Sequence, residues 1–371
     1  MIYLDNGATT FRKPGSVRAA VIRAMETCAN PGRGGYPAAM EAARTVFRCR
    51  ETAAAMFDCS PEQVAFTSNC THGLNIAIRS LVKPGGRVVI SGFEHNAVTR
   101  VLHSLGTETM VAGEKLFDRQ DTLERFEDAL KQQPDAAVFL HVSNVFGYRL
   151  PAEELAALCR MYGVPFAVDA AQSAGTLPVS LKKLGANFIA MPGHKGLLGP
   201  QGTGILLCGD GASPLLYGGT GSESIRQEMP EYLPDRLEAG TVNVPGIAGL
   251  QAGMDYLRRV GLDTIRKREH RQVERCARGL EKLGVRVFSG VEQTGTISFV
   301  PERDCEEVAS MLAERGIAVR AGLHCAPLAH KSAGTLETGT VRVSFGVDAA
   351  DYQTDALLRA VAGISGKRQE N

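Results

Sequence analysis

The sequence predicts an α/β protein with a large domain built on a mostly parallel sheet and a smaller α+β domain at its C-terminal end. Three observations support this prediction. Short apolar runs alternate with longer amphipathic stretches along the first two thirds of the chain. Several of these runs are apolar throughout, which is typical of strands buried on both faces. Near residue 245 the alternation gives way to long helical stretches and well-spaced strands, the order expected of a second domain.

The elements of the large domain follow from this alternation. Short runs rich in β-branched or aromatic residues are the predicted strands, at 63–67, 87–91, 136–142, 166–169, 188–191 and 204–207. The amphipathic stretches between them are predicted helices, at 40–56, 73–81, 123–131 and 153–161. Strand–helix alternation with short loops favours a parallel sheet that helices cover on both sides.

The C-terminal part of the chain is predicted to form the smaller domain. It begins with one or two long helices over 255–283. Predicted strands follow at 285–288, 296–300, 318–320 and 340–345, and predicted helices at 305–315 and 352–361. We therefore expect a large domain over 15–245 and a small domain over 246–371, to which residues 1–14 are added.

The composition excludes several classes of function. The chain has 371 residues, with 41 Lys+Arg against 40 Asp+Glu and a net charge of +1, so no global field attracts nucleic acid or an anionic membrane. No apolar run reaches the roughly 18 residues of a membrane span, and the N-terminus lacks the pattern of a signal peptide. The nine cysteines are scattered without a Cys-x-x-Cys pair. This predicts reduced thiols in a cytoplasmic protein, with neither a disulfide scaffold nor a metal site.

A lysine and an aspartate follow two successive predicted strands. Lys195 stands in a glycine-flanked segment after strand 188–191, and Asp169 ends strand 166–169. A desolvated lysine has a lowered pKa and can form a Schiff base, and a buried carboxylate can pair with a protonated pyridine nitrogen. Most lysines are instead solvated, and an aspartate here could simply cap a helix. Ligands bind at the carboxyl ends of strands in open α/β sheets, which favours a binding site at this pair.

Two further polar segments follow predicted strands. Segment 67–73 carries hydroxyls and opens a helix whose free N–H groups suit a phosphate, although ordinary helix capping explains the same residues. His95 follows strand 87–91 and could stack on a cofactor ring and move protons, although a lone loop histidine usually does neither. All these features lie at strand ends, and that coincidence favours a single site.

Further motifs run from one end of the chain to the other: Tyr3-Leu4-Asp5-Asn6-Gly7-Ala8-Thr9-Thr10, His141-Val142-Ser143-Asn144, Glu238-Ala239-Gly240-Thr241, Val319-Arg320-Ala321-Gly322-Leu323-His324-Cys325-Ala326 and Thr340-Val341-Arg342-Val343-Ser344. Together with the segments above, they resemble the fold-type I, class V aminotransferase-like enzymes that use pyridoxal 5'-phosphate (PLP). The greatest likeness is to the cysteine desulfurase and selenocysteine lyase branch. The resemblance implies a mostly parallel, seven-stranded sheet in the large domain.

The resemblance also implies how the cofactor ring is held. Lys195 would bind PLP covalently and move the Cα proton of the substrate. Asp169 would pair with the pyridine nitrogen, Gln172 would hydrogen-bond the ring hydroxyl, and His95 would stack on the ring and act in catalysis.

The phosphate of the cofactor would be held by Cys70, Thr71 and His194, with Thr241 reaching it from the second subunit of a homodimer. One residue of the expected phosphate set departs from the family pattern. Pro192 stands where many relatives have Ser or Thr, and proline has neither an N–H nor a hydroxyl to offer. One phosphate contact is therefore missing or supplied elsewhere.

The substrate would be oriented by Asn144, which also lies beside the cofactor, and by Arg342, through a bidentate grip on the substrate carboxylate. Arg33 is a further candidate at the mouth of the site. His72 stands where relatives often have Glu, so the charge at that helix start differs. These departures indicate a subfamily with its own substrate.

Cys325 decides which reaction the resemblance implies. In a desulfurase, a cysteine thiolate attacks the sulfur of the PLP-activated substrate, which leaves alanine and an enzyme persulfide. Cys325 follows His324 and lies near Arg320 in a stretch rich in Ala and Gly that predicts a loop. A buried structural cysteine is the alternative. The implied substrate is L-cysteine, with selenocysteine as a second possibility.

The remaining alternatives concern turnover and reaction type. Only 17 positions separate Cys325 from Arg342, which predicts a restrained loop and slow turnover that a sulfur-acceptor protein or small thiol accelerates. Another PLP reaction on the same fold, namely transamination, epimerisation or a different β-elimination, is the main alternative. A non-catalytic sulfur carrier is the other, and the presence of both Lys195 and Asp169 argues against it.

Overall fold

The computed structural model describes residues 1–32, 34–364 and 366. Within them the strands are β1 (Ile2–Tyr3), β2 (Val64–Thr67), β3 (Arg87–Ser91), β4 (Glu108–Ala112), β5 (Ala136–Leu140), β6 (Phe166–Asp169), β7 (Phe188–Pro192), β8 (Gly204–Cys208), β9 (Arg286–Phe288), β10 (Thr296–Val300), β11 (Ile317–Ala318), β12 (Arg320–Gly322) and β13 (Thr340–Ser344). The helices are α1 (Gly15–Thr27), α2 (Pro37–Phe57), α3 (Cys70–Leu81), α4 (Asn96–Ser104), α5 (Arg119–Leu130), α6 (Ala152–Met161), α7 (Leu181–Leu184), α8 (Val244–Val260), α9 (Leu262–Lys282), α10 (Cys305–Glu314), α11 (Pro327–Ala333) and α12 (Asp351–Ile364).

The larger sheet contains seven strands in the order β2-β8-β7-β6-β5-β3-β4. Strand β8 runs antiparallel to both of its neighbours, and the other neighbouring pairs are parallel. The predicted α/β fold with a mostly parallel, seven-stranded sheet is therefore confirmed. Because β2, β3, β5, β6 and β7 all point the same way, their carboxyl ends meet at one edge of the sheet.

Side chains on the two faces of this sheet belong to two separate cores. Along β5, Ala136 and Val138 pack in the core that includes α3 and α4. The alternate residues Ala137 and Phe139 pack in the core that includes α2, α5 and α6. Every residue of β5, β6, β7 and β8 is buried. Helices on both faces thus explain why these strands are apolar throughout.

A second, antiparallel sheet has the order β12-β13-β10-β9, and α9, α10 and α12 pack with it in a third core. The predicted strand at 318–320 is in fact two strands. Strand β11 pairs with β1, and β12 pairs with β13. The N-terminal strand therefore joins the C-terminal part of the chain, where Leu4 packs in the third core.

The long helical stretch near residue 255 is two helices that separate at Gly261, whose φ is 84°. Helix α8 packs against α1 and α2, and its residues Ile247, Leu250 and Met254 belong to the core of the large sheet. Helix α9 contributes Val273, among others, to the third core. The division of domains at residue 245 stays a prediction.

Two loops cross closely at the functional edge of the large sheet. Gly175 lies after β6 with φ 91°, and a Cβ placed on it would lie 2.3 Å from the carbonyl oxygen of Gly196. Gly196 directly follows Lys195, and a Cβ on Gly196 would lie 2.3 Å from the carbonyl oxygen of Ala174. Only glycine permits both the positive φ and this approach of the two backbones.

We expect Gly175→Ala to lower the free energy of unfolding by about 3 kcal/mol or more, because it adds a backbone clash to an unfavourable φ. Gly163→Ala is the matched control, since Gly163 has φ 66° and a Cβ there would meet nothing within 4 Å. The control should lose only about 1 kcal/mol. Urea unfolding of both variants measures the difference, and equal losses would contradict the close-crossing explanation.

Candidate active site

The sequence-predicted residues that follow the parallel strands meet in one cavity at the carboxyl edge of the large sheet. It lies between the segments after β2, β3, β5, β6 and β7. The predicted site residues that line it are Cys70, Thr71, His95, Asn144, Asp169, Gln172, His194 and Lys195, together with Pro192. The fold thus brings together residues that are up to 125 positions apart in the chain.

Lys195 follows β7 in a loop that the N-terminal segment holds in place. The carbonyl of His194 accepts hydrogen bonds from Thr10 N–H (3.1 Å) and Lys13 Nζ (2.9 Å). Thr10 Oγ1 donates to the carbonyl of Lys195 at 2.9 Å. Burial lowers the pKa of the Lys195 amine, while the Asp169 carboxylate acts in the opposite direction. A larger neutral fraction makes this amine a better nucleophile and a better base.

Asp169 ends β6 and is only 5% exposed. Its Oδ1 accepts hydrogen bonds from Ala171 N–H at 2.8 Å and from Cys70 Sγ at 3.6 Å. Burial raises the pKa of Asp169, and the Ala171 N–H and the Lys195 cation oppose that rise. A buried carboxylate of this kind is stabilised by a cationic partner in the same cavity. Beside it, Gln172 Nε2 donates to the carbonyl of Gly7 at 3.1 Å.

The first turn of α3 lies at the edge of the cavity, which Cys70 and Thr71 line. The side chain of Asn69 caps the helix by accepting from His72 N–H at 2.9 Å. The N–H groups of Cys70 and Thr71 lie in the first turn, where a helix has no internal acceptor for them, so they suit an anion. Burial, followed by the nearby Asp169, raises the pKa of the Cys70 thiol well above its usual value. That thiol is therefore a neutral donor to Asp169 and a poor nucleophile.

His194 and His95 flank the cavity as neutral imidazoles. His194 Nδ1 lies 3.0 Å from Thr9 Oγ1. His95 starts α4, and its Nδ1 accepts from Ala97 N–H at 3.0 Å, so in the neutral ring Nε2 carries the proton. Burial, and next the charge of Lys195, lowers the pKa of each histidine to about 4. Neither ring then adds positive charge to the cavity near neutral pH.

Sequence reasoning missed Glu94, which lies fully buried directly before His95. Its Oε1 accepts hydrogen bonds from Ser91 Oγ and from Leu140 N–H, the latter at 2.9 Å. Glu94 thereby links β3 to β5 beneath the cavity. Burial raises its pKa to about 8, so it is mainly a neutral acid at pH 7. An acidic residue three positions after the end of an apolar strand was the available signal.

Arg342 is placed by β13 and is 1% exposed. Its Nη2 donates to Asp5 Oδ1 at 2.6 Å, and its Nη1 donates to the carbonyl of Asn144 at 3.0 Å. Within the described residues, Arg342 Nε and Asn144 Oδ1 are buried without a hydrogen-bond partner. Both groups therefore keep unused hydrogen-bonding capacity close together. Asp5 is the second residue that sequence reasoning missed as part of this site, although it lies in the N-terminal motif.

Cys325 lies in the turn before α11, on a groove beside the cavity. The groove and the cavity share Thr71 and His95. Among the nine cysteines, all of which the structure describes, Cys325 alone is exposed. The positive charge of Arg320, half-buried on β12, contributes to lowering the pKa of His95. The loop prediction for Cys325 agrees with this position, and a buried structural cysteine is not what the structure shows.

Two candidate residues, Thr241 and Arg33, remain. Thr241 is exposed in the long segment between β8 and α8 and does not line the cavity. Arg33 lies outside the described residues.

In the part of the chain that the structure describes, no three His, Cys, Asp or Glu side chains are grouped to hold a metal ion. No helix within those same residues has the length and apolar character of a bilayer span.

Comparisons with known proteins agree with this geometry. A family model described as "Aminotransferase class-V" matches residues 2–357. A probable cysteine desulfurase of Methanothermobacter thermautotrophicus is 33% identical over 98% of this chain and 95% of its own length. The apo structure of a cysteine desulfurase from Thermococcus onnurineus NA1 has a TM-score of 0.90 at 31% identity and covers 98% of this chain and 94% of that one. The cysteine desulfurase CsdA from Escherichia coli has a TM-score of 0.84 at 25% identity, with coverages of 98% and 94%.

The buried acid beneath the cavity generates a prediction about pH and stability. Because the pKa of Glu94 is raised to about 8 in the folded protein, its contribution to stability is complete below the unfolded-state pKa and is lost as the pH rises through 8. Glu94→Gln keeps a neutral side chain at every pH. The free energy of unfolding of wild type relative to this variant should therefore fall by about 1.4 kcal/mol per pH unit between about pH 5 and 8.

Denaturant titrations at several pH values measure this slope. The same change at Glu51, an exposed glutamate of α2, controls for the loss of one carboxyl group. A difference between wild type and Glu94→Gln that stays constant with pH would show that Glu94 is ionised in the folded protein.

Proposed function

Because the chain belongs to the class-V aminotransferase family, we propose that it is a PLP-dependent cysteine desulfurase that converts L-cysteine to L-alanine and keeps the sulfur as a persulfide on Cys325. One observation carries this proposal. An exposed cysteine lies on a groove that adjoins the cavity of a half-buried lysine and a buried aspartate. Lys195 and Asp169 alone would fit many reactions of the family, and Cys325 adds the nucleophile that sulfur transfer requires.

The residues present fit PLP in three respects. Lys195 offers an amine with a lowered pKa, Asp169 offers a buried carboxylate that a cationic ring nitrogen would stabilise, and the N–H groups at the start of α3 suit a phosphate. When bound, PLP supplies a cationic ring that withdraws electrons from the Cα of an amino acid. His194 and Gln172 border the same cavity and are proposed to contact the phosphate and the ring hydroxyl.

Lys195 and His95 are the proposed proton-handling and stacking groups. The amine of Lys195 is proposed to accept the Cα proton of the substrate and to return it later, which a lowered pKa favours. His95 presents a neutral ring whose orientation is fixed by Ala97 N–H. A neutral imidazole can lie against a cationic ring without repulsion, which a protonated one could not do.

Arg342 is proposed to bind the substrate carboxylate, and Asn144, whose free Oδ1 is an acceptor, is proposed to orient the substrate through an N–H group. Arg342 Nε and Asn144 Oδ1 are buried polar atoms without a partner among the described residues, and buried groups of this kind are usually satisfied. Asp5 and the Asn144 carbonyl hold the guanidinium of Arg342 in place. We infer that a bound carboxylate would take up the remaining donor capacity of Arg342.

The sulfur step uses Cys325 as a thiolate. Its Sγ attacks the sulfur of the substrate, so that an S–S bond forms as the Cβ–S bond breaks. The electron pair of the broken bond stays on Cβ, where a proton replaces the sulfur and completes the methyl group of alanine.

The assembly and location of the enzyme are part of the same proposal. We propose a homodimer in which the exposed Thr241 of one subunit reaches the phosphate site of the other. All nine cysteines are free, which supports a reducing, cytoplasmic environment. Selenocysteine is proposed as a second substrate that the same cavity would accept.

Cys325→Ala should abolish alanine formation from L-cysteine, with a loss of at least about 100-fold, because the sulfur has no acceptor. Selenium leaves more readily than sulfur, so the variant should retain activity on selenocysteine. Cys28→Ala, at a half-buried cysteine that lines neither the cavity nor the groove, is the matched control. Alanine and sulfide are assayed together on purified holoenzyme, and keto acid or racemised amino acid as the product would point to another reaction of the family.

Turnover should be limited by removal of the persulfide sulfur. Without an added thiol, we expect a burst of about one alanine per active site followed by a slow phase, because Cys325 must be cleared before it reacts again. A small thiol or an acceptor protein should accelerate the slow phase and leave the burst unchanged. A steady rate without a burst, equal with and without acceptor, would contradict this prediction.

A further inference from the structure

Two consecutive non-glycine residues adopt a left-handed backbone conformation in the turn that contains Cys325. His324 has φ 50° and Cys325 has φ 57°. Residues that carry a Cβ rarely adopt this conformation, and one of the two is the proposed nucleophile. The surrounding contacts must therefore hold the turn in this state.

Hydrogen bonds from two separate segments hold the carbonyl groups of this turn. Asn96 N–H donates to the carbonyl of Cys325 at 2.7 Å. Asn144 Nδ2 donates to the carbonyl of His324 at 2.8 Å. Asn96 directly follows His95, and Asn144 lies after β5, so the turn is tied to the same segments that form the cavity.

The side chain of His324 provides the third connection. It is 3% exposed, and its Nε2 lies 3.1 Å from the carbonyl oxygen and 3.2 Å from Oγ1 of Thr340 on β13. The Thr340 carbonyl can only accept, so Nε2 carries the ring proton. Burial, and next the charge of Arg342, lowers the pKa of His324 to about 2, which keeps the ring neutral. The buried imidazole of His324 thus fixes the turn, while the side chain of the next residue, Cys325, is exposed.

We propose that His324 is a positioning residue, whose bond to Thr340 holds the main chain of Cys325 in the left-handed conformation and aims the thiol at the groove that it shares with His95. This inference rests on the proposed function, since it concerns the placement of the sulfur-accepting thiol. The alternative is that His324 only fills space in the core.

His330 offers a matched control for that alternative. It is fully buried six residues later, its ring lies 5.7 Å from that of His324, and its Nδ1 bonds Thr335 Oγ1 at 2.8 Å. His330→Ala therefore removes the same volume and one His–Thr hydrogen bond without touching the Cys325 carbonyl bonds. A purely structural role predicts similar effects for the two alanine variants.

The amide of Asn96 reports the state of the turn independently of activity. Asn96 is the first residue of α4, where no internal acceptor is available, so its protection depends on the Cys325 carbonyl. Hydrogen–deuterium exchange of this amide, measured by mass spectrometry on purified holoenzyme, should accelerate roughly tenfold or more in His324→Ala. His324→Gln, whose amide can donate to Thr340, should restore most of the protection, and His330→Ala should stay within about twofold of wild type.

The kinetic arm measures persulfide formation on Cys325 in a single turnover with L-cysteine. His324→Ala should lower the rate of persulfide formation by roughly 10- to 100-fold, because the thiol is misplaced. KM should change little, because the substrate-binding residues are unaffected. His324→Gln should recover most of that rate. If His324→Ala and His330→Ala lower exchange protection and rate equally, the positioning role is wrong.

The two arms separate this inference from the proposed function. If wild type forms no persulfide, the proposed function fails, while the exchange of the Asn96 amide still tests whether His324 holds the turn. If His324→Ala does not fold, His324→Leu carries the test, because leucine fills much of the same volume but cannot donate to the Thr340 carbonyl. Unchanged exchange and an unchanged rate in His324→Leu would leave His324 as core packing. Faster exchange in His324→Leu than in His324→Gln would support the positioning role.

Discussion

The arrangement of this site depends on the electrostatic balance between Asp169 and Lys195 inside one buried cavity. Burial alone would neutralise both groups, because it raises the pKa of the acid and lowers the pKa of the amine. Each charge opposes the shift of the other. The result is a lysine that is reactive as an amine and an aspartate that stays available to a cationic partner. Parallel strands that end at one edge of the sheet are what bring the two together.

The surrounding residues support this balance in different ways. The histidines at the cavity stay neutral and so add no charge to it. Glu94, although buried close by, is neutral for the same reason and acts as a hydrogen-bonded link between β3 and β5. Permanent positive charge is supplied instead by Arg342 and Arg320, whose charges help to lower the pKa values of both His95 and Lys195. Burial, as much as residue type, thus decides which side chains of the site carry a charge.

The large sheet could be predicted from the sequence because strands buried on both faces are apolar throughout. The polar residues at the edge of the sheet could be predicted because they follow these apolar runs. Strand β4 was missed because it is an edge strand with mostly exposed residues, so its pattern is not that of a buried strand. The pairing of Arg342 with Asp5 joins residues 337 positions apart. The bond between Cys70 and Asp169 spans 99 positions. Such contacts follow from the tertiary fold and leave no periodic signal in the sequence. The left-handed turn at His324 and Cys325 could not be predicted either, since neither residue is glycine.

The covalent attachment of the cofactor to Lys195 is the central claim, and borohydride reduction of the holoenzyme tests it most directly. Reduction fixes an imine between an amine and an aldehyde, so digestion and mass spectrometry identify the lysine that carries the pyridoxyl group. The account predicts the label on Lys195 alone. Lys13 is the informative competitor, because burial lowers the pKa of its amine to about 8 and it lies 2.9 Å from the carbonyl of His194. A label on Lys13, or no label on Lys195, would contradict the account.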